Sequence, residues 1–102
     1  MKVAMIYVTN PNKRKAEELA LHLLRKKAIG CANLFPVSSF YRWKGRLVRE
    51  KEFVLIAKTT ERKVETAKKE IESVHPYSVP FIAIIRADVN NKYLKWLENE
   101  TK

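Results

Sequence analysis

The chain has 102 residues, a length that favours one domain spanning residues 1–102, and an apolar fraction of 46% that suits a globular protein. No apolar run approaches the roughly 20 residues a membrane-crossing helix needs, and a single cysteine excludes an intramolecular disulfide framework. With 21 Lys and Arg against 11 Asp and Glu, the net charge of +10 turns attention to anionic partners.

Val3 to Val8 is apolar on both faces, as in a strand covered on each side, and Met1 to Val8 shows no export-signal pattern. With the lone Cys31, this gives a cytoplasmic location and no membrane association as the expectation. Asn10 is read as an N-cap with Pro11 in the first helical position. In the helix that follows, Ala16, Leu19, Ala20, Leu23 and Leu24 recur at steps of three and four as one apolar stripe, while Lys13, Glu17 and Arg25 face water. Gly30 marks its stop.

Residues 31–59 have no helical period but are dense in β-branched and aromatic side chains, with turn signals at Pro36, Lys44-Gly45 and Arg49 to Lys51. Two strands are expected: a long one running from Cys31 and bulged near Gly45, and a central one, Glu52 to Lys58. Thr60 is read as the cap of a second helix, with Val64, Ala67, Ile71 and Val74 on one face and His75-Pro76 as its stop. Val79 to Ile85 reads as a further strand, and Asn90 to Glu98 as a terminal helix presenting Tyr93, Leu94 and Leu97 or Trp96. The order βαββαβ plus a last helix, with right-handed crossovers, predicts an α/β (α+β) ferredoxin-like sandwich.

Fold alone does not set function, which rests on particular residues. Gly30-Cys31-Ala32-Asn33 with Pro36, Ser39-x-Tyr41-x-Trp43-x-Gly45, Glu52 with Lys58-Thr59, His75-Pro76-Tyr77 with Pro80, and Tyr93-x-x-Trp96 stand in one order along nearly the whole chain. Together they resemble the corresponding segments of the CutA divalent-cation tolerance family. The resemblance implies a ferredoxin-like protomer that forms a homotrimer, similar in layout to PII signalling proteins, with a role in tolerance of copper and other divalent cations and no established catalysis. It also places Tyr41, Trp43 and Trp96 near the seams between subunits.

Cys31, as a thiolate, and His75, through a neutral imidazole, are candidate ligands for copper or zinc, with Glu52, Tyr77, water or another subunit needed to complete a closed site. Each has a structural reading as well: Cys31 as a small core residue, and His75 as a group meeting the last carbonyls of a helix. Some copper-linked family members carry a second Cys and a second His where this chain has Val8 and Val74, so no cofactor is required and any divalent copper or zinc is expected to bind weakly. Asn33, Tyr41, Trp43, Lys58, Tyr77 and Trp96 are candidates for a ligand cleft or an interface. Lys58, ahead of the helix start at Thr60, is a candidate for helping to hold an anion. His22, with no partner along its own helix, reads as simply exposed.

No G-x-S-x-G, H-E-x-x-H or Gly-rich phosphate loop is present, so no catalytic residue is named and the chain reads as a non-enzyme. A PII-like small-molecule or anion sensor is the alternative, followed by a non-specific nucleic-acid binder. Lys44-Gly45 is not followed by the stacking aromatics of an RNA-recognition signature, so no specific nucleic acid is expected, and contacts to phosphate alone weaken steeply with salt.

Overall fold

The computed structural model describes residues 2–102; Met1, which opens the segment read for export signals, lies outside the described residues. The elements are β1 (Lys2–Asn10), α1 (Lys13–Arg25), β2 (Cys31–Trp43), β3 (Arg46–Thr59), a 3-10 turn (Glu61–Lys63), α2 (Val64–Val74), β4 (Ile82–Asp88) and α3 (Asn91–Glu100). The four strands form one antiparallel sheet in the order β2-β3-β1-β4. Each βαβ unit thus has a strand of the other inserted between its own two, which is the ferredoxin-like arrangement expected from the sequence.

Strand register assigns the two faces. Ala4, Ile6 and Val8 of β1 stand opposite Thr59, Ala57 and Leu55 of β3, and these residues point towards α1 and α2. There Ile6, Val8, Leu55 and Ala57 meet Leu19, Leu23, Ala67 and Ile71 in the main core, all fully buried or nearly so. The apolar stripes are narrower than the sequence periods suggest: Leu24 is 39% exposed and Val74 47%, so neither belongs to the core. The other face carries α3 at one end, where Leu94 and Leu97 pack on Val3 with Ala87 alongside.

Several boundaries differ from the sequence reading, each for a local reason. Asn10 is not the cap of α1. It is the last residue of β1, paired with Phe53, and its side-chain amide donates to the Phe53 carbonyl at 3.2 Å. Asn12 takes the capping role, its side-chain oxygen accepting from the Lys15 N–H at 2.8 Å. The stop of α1 is a Schellman turn: Ala28 N–H returns to the Leu23 carbonyl and Lys27 N–H to the Leu24 carbonyl. Its left-handed residue is Lys27, at φ 56°, and not Gly30.

Lys44 (φ 48°) and Gly45 (φ 79°) are both left-handed between the paired residues Trp43 and Arg46, so the predicted bulge is a two-residue hairpin turn. As a result β3 begins at Arg46 and not at Glu52. Since β1 pairs with β3 only as far as Phe53, the hairpin formed by residues 37–52 projects beyond the sheet as a two-stranded ribbon. Thr60 makes no side-chain cap bond and precedes the 3-10 turn, with Lys63 at the true start of α2. β4 begins at Ile82 and not at Val79, and α3 buries Leu94 and Leu97 while Trp96 stays outside.

Candidate functional site

The sequence candidates fall into two groups at opposite ends of the sheet face that α1 and α2 leave free. At one end, Cys31 pairs with Lys58, and Lys58 with Met5, placing the three on one row of that face. Here α3 closes over them: the Lys58 ammonium sits 5.8 Å from the centre of the Tyr93 ring, and Tyr93 lies 5.4 Å from Trp96. Burial, and then a hydrogen bond with the Cys31 thiol, raise the Tyr93 hydroxyl above its ordinary range. Lys58 thus faces the Tyr93 ring in this structure. Asn33 is two residues along, opposite Ile56.

At the other end, the connection from His75 to Phe81 wraps the edge of the sheet where the β2–β3 ribbon departs. It meets Tyr41, Trp43, Glu50 and Glu52 around a cavity of about 390 Å³. The Tyr77 hydroxyl donates to Glu52 at 2.6 Å and the Tyr41 hydroxyl to Glu50 at 2.6 Å. The bond to Glu50 is the main cause pushing Tyr41 up to about 12, and burial, followed by the bond to Glu52, raises Tyr77 further still. Both phenols therefore stay protonated at neutral pH and remain donors.

His75 follows α2 with its backbone N–H on the Ile71 carbonyl, but its ring turns to β1 and not to the last carbonyls of the helix. Its ring is held at both nitrogens: Nε2 lies 2.8 Å from the Thr9 carbonyl, and Nδ1 accepts the Tyr77 N–H at 3.1 Å. A carbonyl can only accept and an N–H can only donate, so the ring is the neutral tautomer with its proton on Nε2. Neither nitrogen has a lone pair spare for a metal. Cys31 and Glu52 stand six positions apart along the β2–β3 ladder, about 20 Å at strand rise. Cys31, Glu52 and His75 therefore do not gather into one site within a protomer. Among the described residues, no group of three or more His, Cys, Asp or Glu side chains is placed to share a metal ion. Titration calorimetry with Cu²⁺ or Zn²⁺ should accordingly show only weak binding, changed less than about threefold by Cys31→Ser with His75→Ala. Tight stoichiometric binding lost in that variant would make the two residues ligands.

Two features escaped sequence reading. His22 is not simply exposed: its Nε2 is 2.7 Å from Glu70 Oε1, a contact between α1 and α2 that no spacing within one helix reveals. Glu50 joins the second group only because the hairpin register sets it one pleat from Glu52, opposite Ser39 and diagonal to Tyr41.

The CutA1 divalent ion tolerance protein model matches residues 4–100. The divalent-cation tolerance protein CutA of Pyrococcus horikoshii is 45% identical over 101 residues, covering 96% of this chain and 97% of that protein. Its Thermotoga maritima counterpart is 40% identical, with 91% and 93% covered. Among solved structures, the periplasmic divalent cation tolerance protein CutA from Archaeoglobus fulgidus superposes with a TM-score of 0.94 at 33% identity, over 98% of this chain and 99% of that one. P. horikoshii CutA gives 0.94 at 43% identity, over 97% and 99%. The family match over almost the whole chain, the identity to full-length relatives and the shared fold agree, and the chain belongs to the CutA1 divalent ion tolerance protein family.

Proposed function

We propose that the protein acts as a homotrimer in tolerance of divalent cations such as copper, without catalysing a reaction. The observation that carries this reading is the family match over residues 4–100 together with full-length relatives named for divalent-cation tolerance. Two structural features fit it. The sheet face away from α1 and α2 leaves Phe35 and Ile85 exposed beside Tyr7, an apolar surface of the kind another copy covers. Metal-ligating side chains are dispersed, which suits a weak and open engagement with cations more than a closed metal cage.

The test is growth. In a bacterial strain lacking its own family member, expression of this chain should raise the copper concentration that halves growth, and an Ile85→Asp version expressed to the same level should not. Equal sensitivity with and without the wild-type chain overturns the tolerance reading.

A further inference from the structure

The cavity between the ribbon and the His75–Phe81 connection has a chemistry that neither the fold nor dispersed metal ligands require. Its volume of about 390 Å³ lies within the range of small-molecule sites. Four aromatic rings, Tyr41, Trp43, Tyr77 and Phe81, form its walls, and Phe81 is braced edge-on by Tyr7 at 5.9 Å. Among the described residues the only ionisable side chains lining it besides the phenols are Glu50 and Glu52, while Lys44, outside the lining, holds its ammonium 5.9 Å from the Trp43 ring centre. In a chain of net charge +10 that is a local reversal of sign.

Glu52 sharpens the point, because it is 6% exposed and accepts one hydrogen bond, from the neutral Tyr77 hydroxyl. Among the described residues it has no ion-pair partner, and neither does Glu50. A carboxylate taken out of water is stabilised by a cation with hydrogen-bond donors, and aromatic faces attract that same cation through their quadrupoles. A divalent metal fits less well, since the two carboxylates are joined only by the hydroxyl side chains of Thr9, Ser78 and the two tyrosines among largely aromatic walls, a poor ligand set for it.

We propose that this cavity is a binding site for a primary alkylammonium ion, the charged nitrogen donating to Glu52 and Glu50 and the carbon chain lying against Trp43, Tyr77 and Phe81. The same headgroup exists as a free small amine and as a lysine side chain on a polypeptide. We assign the free amine, because a cavity walled on several sides by rings encloses a short chain. Trp43, 46% exposed in the protomer, stands at the cavity's rim on the side where the family resemblance sets a seam between subunits, so the ligand would enter along that seam.

The proposal goes beyond the tolerance reading, and copper-dependent growth does not depend on it. The test uses the purified, assembled protein titrated by calorimetry with n-butylammonium chloride, against butan-1-ol as the neutral molecule of similar shape. Saturable binding of about one butylammonium per chain is expected, with butan-1-ol at least about tenfold weaker. Glu52→Gln should weaken the cation about tenfold or more, and Glu50→Gln, a surface change that does not threaten folding, should weaken it severalfold. Equal binding of alcohol and cation overturns the proposal, as do unchanged affinities in both variants. Absence of saturable heat also overturns it, including the case in which a lysine from a neighbouring copy already fills the cavity.

Discussion

On light scattering behind size exclusion, the protein is expected to run as a trimer of about three times 11.9 kDa, with no stable folded monomer on dilution. The physical pressure lies on the sheet face that α3 covers only in part. Across its middle run Asn33, Ile56, Tyr7 and Ala83, flanked by Ile85 on one row and Phe35 on another, with 46% of Ile85 still exposed in the protomer. A ribbon that leaves the sheet after Phe53 adds backbone edges that a protomer this small does not cover by itself. A second and third copy would supply both the cover and the missing core. Ile85→Asp places a carboxylate where that cover should sit, and burying it unpaired costs roughly several kcal/mol. The variant should lose the trimer and, with it, most of its thermal stability. A monodisperse wild-type monomer would refute the assembly, and a trimer intact in Ile85→Asp would move the interface off this face.

The fold was legible because its signals are local and redundant. The run of β1 that is apolar on both faces and the stripe of small and large apolar residues in α1 each specify one element, and few topologies connect them. Boundaries were lost where two residues compete for one role. Asn10 and Asn12 are equally good caps in sequence, and only the pairing of Asn10 with Phe53, a contact 43 residues away, decides between them. Gly30 looked like a helix stop because glycine usually is one, while Lys27 bore the left-handed conformation instead. The site was legible by membership and not by grouping. Tyr41, Trp43, Glu52 and Tyr77 do converge, yet Cys31 and Lys58 go to the far end with Trp96, because six residues of strand separate them from Glu52. For His75 the sequence leaves a ligand and a helix-end reading open, and the hydrogen bonds to Thr9 and Tyr77 that fix its ring are long-range or conformational and leave no trace in spacing.

What Gly30 does instead gives the second large effect. Its backbone is not left-handed, so conformational freedom does not explain it. A Cβ built there would run into Leu97 Cδ1, with Trp96 and Glu100 next nearest at 3.6 and 3.7 Å. Gly30 therefore lets α3 lie directly against the start of β2, while its own N–H extends the ladder to the Lys58 carbonyl at 3.0 Å. Leu97 is fully buried and cannot swing into water without surrendering its contacts with Val3 and Leu94. Gly30→Ala should thus destabilise the protein by about 1 to 3 kcal/mol through overpacking. Leu97→Ala should cost about 2 to 5 kcal/mol by opening a cavity. The decisive variant carries both, because the new methyl group would enter space vacated by Leu97. Its loss measured by denaturant unfolding should fall short of the sum of the two single losses by about 0.5 kcal/mol or more, the range expected of contacting residues. Strict additivity, or a neutral Gly30→Ala, would show that α3 does not rest on Gly30 and that the glycine is there for some other reason.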